Sequence, residues 1–234
     1  MSRLRHKKIF GFDRWLKFKV GANRNEKSRM AITYSRGHIN GDAIVVAFDI
    51  CASSDIIEEL ILKGDVDRFC GFLIKLKTYL ATAQKGVTFD PYKFTGDGWI
   101  LLFPPDTEGN ALLTFLRDLC AFFKREFRKD VLSYLDTPPL NTGLTFGLEK
   151  GRLEPITMYG AKEYVGRALN IACRLQNAIK DRDESPAYKA LVSNAVYNDY
   201  FSKADCKVYK VVRSLSNIRA GANFQCRKIN LLSE

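Results

Sequence analysis

What most restricts the fold of this chain is the order in which its hydrophobic periodicities change. Residues 44–50, IVVAFDI, are apolar and β-branched and end in an acid, the pattern of a buried strand. From Asp55 to about Leu80 apolar residues recur at Ile56, Leu60, Ile61, Phe69, Leu73, Leu76 and Leu80, which predicts one helix with Ser53 or Ser54 as its N-cap. A strand to Phe94, the turn Thr95-Gly96-Asp97-Gly98 and a strand from Trp99 to Phe103 then form a hairpin, closed by Pro104-Pro105. A second amphipathic helix turns Leu112, Phe115, Leu116, Leu119, Phe122 and Phe123 inward. Residues 141–158 read as two strands around a turn at Glu149-Lys150-Gly151. A third helix opens near Gly166, with Ala168, Ile171, Ala172, Leu175 and Ile179 on one side. SPAYK at 185–189 reads as a loop, and LVS at 191–193 and YKVV at 209–212 as further strands around a short helix.

Strand, helix, hairpin, helix, strand is the order of a ferredoxin-like βαββαβ core, here an α+β fold with extra C-terminal strands and helix. A right-handed crossover makes the first two strands parallel and runs the third antiparallel between them. The end of the first strand, at Asp49, then lies beside the hairpin turn that carries Asp97. Either aspartate alone would be an ordinary turn residue. Two converging carboxylates instead form a site for hard divalent cations that carry phosphates.

Charge points the same way. Lys and Arg number 37 against 26 Asp and Glu, so the formal net charge of +11 suits a polyanionic partner such as a nucleotide triphosphate or nucleic acid. Much of the excess lies in residues 1–40, a basic N-terminal segment ahead of a catalytic domain over 41–234. No stretch reads as a signal peptide or a membrane span, so a soluble cytoplasmic protein is expected. The six cysteines lack metal-ligand spacing and read as small buried hydrophobes. Both histidines, His6 and His38, fall in the basic leader, so any chemistry must run on carboxylates, lysines and arginines. An RNA-binding reading of a basic ferredoxin-like sheet lacks the K/R-G-F-G-F-V-x-F aromatics that stack bases, and no stable nucleic-acid partner is expected.

Within EYVGRALNIACRLQ, residues 163–176, Asn170 and Arg174 stand four apart on one helical face. An amide and a guanidinium presented together suit a sugar and a developing phosphate charge.

FDICASS, KFTGDG and YVGRALNIACRL, in this order and spacing, resemble the three signature blocks of class III nucleotidyl cyclases over about residues 42–212. The resemblance implies that Asp49 and Asp97 bind two metal ions, Mg²⁺ or Mn²⁺, with Ile50 also assigned to the metal. It implies that Lys93 and Glu163 read the base, and that Ile50, Ser53 and Ser54 contact substrate along the phosphate loop. Asn170 matches the residue that orients the ribose, and Arg174 the one that stabilises the transition state. Lys210, Arg213 and Arg219 are alternatives for the triphosphate. A homodimer with two interfacial sites is implied. A silent nucleotide-binding domain would have lost one of these residues. The first block departs from the family's D-I-x-G-F-T, reading Asp49-Ile50-Cys51-Ala52-Ser53-Ser54. That departure, with the short chain, resembles the Pycsar pyrimidine cyclases of bacterial anti-phage defence. That likeness implies UTP, or CTP, as substrate, cyclic UMP or cyclic CMP as product, and a downstream cyclic-nucleotide effector. Adenylyl cyclase, making cyclic AMP from ATP, is the alternative.

Overall fold

The computed structural model describes residue 39 and residues 41–180 and 185–232; the basic segment 1–40, apart from residue 39, lies outside them. Eight strands are joined in the order β2-β3-β1-β4-β6-β8-β7, with β5 paired to β4 alone. They are β1 (Gly41–Ile50), β2 (Asp90–Phe94), β3 (Gly98–Phe103), β4 (Leu144–Met158), β5 (Ala161–Val165), β6 (Lys189–Ser193), β7 (Val208–Arg213) and β8 (Phe224–Asn230). The central β2-β3-β1-β4 pairings are all antiparallel, as a ferredoxin-like core requires. β4 and β6 pair in parallel.

β1 is buried on both faces, which is why it reads as an almost unbroken apolar run. Alternation assigns its side chains to two cores. Ile44, Val46, Phe48 and Ile50 pack under α1 (Ser53–Lys63), α2 (Val66–Ala83) and α3 (Gly109–Asp130). Ala43, Val45 and Ala47 face α4 (Arg167–Lys180), through Ala168 and Ala172. The small residues on this second face let α4 lie close to the sheet. A Cβ on Gly147 of β4 would stand 2.0 Å from the Ala172 carbonyl oxygen, so only glycine fits there. Among the described residues no helix is long and apolar enough to cross a membrane.

Several sequence expectations are corrected. The helix from Asp55 to Leu80 is two helices, because Gly64 takes a left-handed conformation (φ 74°) and closes α1 with hydrogen bonds from its own and the Asp65 N–H. Ile61 consequently faces solvent rather than the core. The N-cap is Ala52, not Ser53 or Ser54; Ser53 is the first helical residue. Residues 144–158 form one strand with no turn at Glu149-Lys150-Gly151. Ten residues of β1 hold 144–153 in register, and Ser193 Oγ donates to the buried Glu149 carboxylate at 2.7 Å. The chain reverses later, at Tyr159-Gly160, where both residues have positive φ (51° and 74°) and Met158 pairs with Ala161, a two-residue hairpin. Of the cysteines, Cys51, Cys120 and Cys226 are buried as expected, but Cys70 is exposed. Phe122 is half-buried against the core edge.

Candidate active site

Register places Gly98, the residue after Asp97, directly opposite Asp49. Gly98 has no room for a side chain: a Cβ would sit 2.0 Å from the Phe48 carbonyl oxygen. Gly96, at φ 108°, supplies the other special conformation of the turn. The two glycines thus let the hairpin tip close onto the end of β1, and Trp99, stacked on Phe48 with ring centroids 5.7 Å apart, anchors it from the core.

The Asp49 and Asp97 carboxylates meet at this edge. Burial first, and then the contact with Asp97, hold the Asp49 carboxyl up to about 6, against an ordinary value of 3.8. Lys180, the last residue of α4, donates to Asp49 Oδ2 at 2.5 Å and opposes that rise. The Ser53 hydroxyl, buried at the start of α1, donates to Asp97 Oδ2. Ile50 is fully buried and Ser54 is exposed on α1. Ala52 bridges these elements in a left-handed conformation, φ 57° and ψ 24°, which a residue with a Cβ adopts at a cost of about 1 kcal/mol. The loop thus has a shape that glycine would favour, and it sets the Ser53 hydroxyl against the Asp97 carboxylate.

Among the described residues no third carboxylate, cysteine or histidine joins the pair, and no such cluster of three occurs elsewhere. Two hard carboxylates fit Mg²⁺ or Mn²⁺, which keep their remaining positions for water and substrate phosphate. Burial raises the Asp49 carboxyl, and the neighbouring Asp97 carboxylate adds to the rise.

A second cluster gathers Lys93 of β2 and Glu163 of β5. Lys93 Nζ donates to Glu163 Oε1 at 2.6 Å, and Tyr92 Oη donates to Glu163 Oε2 at 2.6 Å. These donors, Lys93 foremost, hold the Glu163 carboxyl below its usual range. Asn170 is exposed and Arg174 half-buried on α4, and neither has a hydrogen-bond or ion-pair partner among the described residues.

The two clusters lie at opposite ends of α4. Tyr164, three residues before its start, carries the Tyr92 contact, and Lys180 at its end reaches Asp49. One chain therefore brings Asp49, Asp97 and Ser53 together, and separately Lys93 and Glu163, but does not join the two sets. Of the residues expected at the triphosphate, Lys210 and Arg219 are exposed. Arg213 is buried and donates to the Ala178 and Val212 carbonyls, so it serves the fold. Sequence reasoning missed Lys180 and Tyr92. A lysine at a helix end and a tyrosine in a strand carry no motif, and only the tertiary contacts single them out.

No protein-family model matches the chain, and no curated protein matches it in sequence. Solved structures do match in fold. The adenylyl cyclase CyaB from P. aeruginosa superposes with a TM-score of 0.62 at 18% identity, covering 83% of this chain and 95% of that one. The guanylate cyclase domain of RhGC from Catenaria anguillulae, solved with GTP, gives 0.58 at 16% identity, with 81% and 96% covered. An adenylate cyclase from Trypanosoma brucei in its monomeric state gives 0.60 at 12% identity, with 85% and 94% covered. The chain has the α+β fold of adenylyl and guanylyl cyclase catalytic domains.

Proposed function

We propose that this protein is a nucleotidyl cyclase that converts UTP, or CTP, to the 3′,5′-cyclic nucleotide and pyrophosphate as a head-to-tail homodimer. The observation that carries the reading is the division of labour along α4: a carboxylate pair at one end, a base-reading pair at the other, and an unpartnered Asn170 and Arg174 between them. A single chain holds every part, but among the described residues no contact joins the two sets. A second copy in reversed orientation supplies to each site the half that it lacks.

In this mechanism Asp49 and Asp97 of one subunit, with Ile50 beside them, would hold two divalent ions, Mg²⁺ or Mn²⁺. Bound there, the ions would supply a more acidic ribose 3′-hydroxyl and charge neutralisation on the triphosphate. Ser53 orients Asp97, and Ser53 and Ser54 line the turn towards the phosphates. Lys93 and Glu163 of the other subunit offer a donor beside an acceptor to the base edge. Asn170 of that second subunit binds the ribose, and its Arg174 neutralises charge as the 3′-oxygen attacks the α-phosphorus and pyrophosphate departs. Lys210 or Arg219 meets the outer phosphates.

The pyrimidine preference and a role in anti-phage defence, through a cytoplasmic effector of the cyclic nucleotide, rest on the likeness to Pycsar cyclases. In the first block Ala52 is left-handed and Ser53 donates to Asp97. ATP is the second reading, because CyaB, among the solved structures similar in fold, is an adenylyl cyclase. Mass spectrometry after incubation with Mn²⁺ and each of ATP, GTP, CTP and UTP decides the substrate. No cyclic product from any of them would refute the proposal. Mixing two inactive variants, Asp97→Asn and Arg174→Ala, should restore about a quarter of wild-type activity, since half the dimers then carry one intact site.

A further inference from the structure

We infer that Tyr92 is a specificity-determining positioning residue: it clamps the Glu163 carboxylate so that one fixed acceptor faces one position of the base edge. The inference rests on the proposal that Lys93 and Glu163 read the base. Nothing in the cyclase blocks of the sequence marks Tyr92; its geometry does. The hydroxyl is engaged on two sides. It donates to Glu163 Oε2 at 2.6 Å and accepts from the Tyr164 backbone N–H at 3.0 Å, so its remaining freedom is small. The ring is fixed as well, edge-on to Tyr164 with centroids 5.2 Å apart, and Tyr164 is tied by its own hydroxyl to the Ile39 carbonyl at 3.1 Å. Burial, and then Glu163 itself, hold the phenol up to about 12, so it remains a donor at any working pH.

Glu163 is otherwise a long side chain on a two-stranded hairpin, anchored only by the half-exposed Lys93. Lys93 alone would let the carboxylate swing about its Oε1 contact. The second donor, on Oε2, removes that swing. Where the acceptor points matters, because pyrimidines differ by a shift of one ring position. Uracil offers an N3–H donor next to the O4 acceptor, and cytosine offers an N4 amine next to the N3 acceptor. A Glu163 free to swing serves both; a clamped one serves one, and a site with fixed hydrogen-bonding groups rejects a ligand that leaves them unpaired.

Tyr92→Phe tests this, since it removes one oxygen and leaves the ring packing. Steady-state kinetics of the full chain with UTP and CTP should show KM for the better substrate raised about tenfold, with kcat within about twofold. The ratio of kcat/KM between the two nucleotides should collapse by about tenfold, the worth of one hydrogen bond to a charged group. Unchanged KM and unchanged ratio in a variant that melts like wild type would overturn the role of Tyr92 while leaving the cyclase reading intact. A wild-type protein that cyclises neither nucleotide would overturn the base-reading premise and this inference with it. If Tyr92→Phe fails to fold, the wild type carries the test alone. A clamped acceptor predicts that the wild type discriminates between UTP and CTP by about tenfold or more in kcat/KM, and equal use of the two would overturn the inference.

Discussion

Asp49→Asn should stabilise the metal-free protein near neutral pH while abolishing its chemistry. The folded protein holds the Asp49 carboxyl up to about 6 rather than 3.8, so between those values the native state binds a proton that the unfolded state has released. Stability therefore falls as pH rises through this window and is lowest, for this group, above it. At about 1.36 kcal/mol per pKa unit, the rise corresponds to about 3 kcal/mol, and the side chain is only 19% exposed, so little is lost to solvent screening. Asparagine does not titrate, so in EDTA the variant should exceed wild type by up to about 3 kcal/mol at pH 7.5. The two should converge near pH 4. For a chain of this length that is a gap of about 6–12 °C in Tm, measurable by differential scanning calorimetry. Saturating Mn²⁺ should raise the wild type and not the variant, since a ligand of the native state alone stabilises by mass action. A variant no more stable than wild type at pH 7.5 in EDTA, or a gap that does not change with pH, would refute the account of the carboxylate pair.

Arg174→Ala should lower kcat by about 10²- to 10³-fold with a smaller change in KM, because the guanidinium acts on charge that develops only in the transition state; stopped product assays against UTP check this. Gly98→Ala should destabilise the fold by about 3 kcal/mol or more in urea titrations, since its Cβ would collide with the Phe48 carbonyl across the β1–β3 pair. Ala52→Gly should do the reverse, gaining up to about 1 kcal/mol by relieving the left-handed conformation before α1, less the added freedom of the unfolded glycine.

Much of this molecule is legible in its sequence. Period-2 and period-3.6 patterns are local, so the order of strands and helices follows from them, and with the right-handed crossover they place Asp49 beside the Asp97 turn before any coordinate is seen. Gly64 was also readable: the seven residues between Ile61 and Phe69, with glycine among them, are the mark of a helix end. What the sequence does not encode locally is pairing at a distance. Glu149-Lys150-Gly151 has turn composition, yet the ten-residue ladder with β1 outweighs it and the strand runs on to Met158. Arg213 looks like any basic residue of the tail until packing buries it against the end of α4. Lys180 and Tyr92 become part of the candidate site only because α4 lies on the sheet at Gly147 and the β4–β5 hairpin folds beside β2. Local patterns determined which elements form; long-range contacts, which depend on the shape of the whole packed chain, decided which side chains each carboxylate meets.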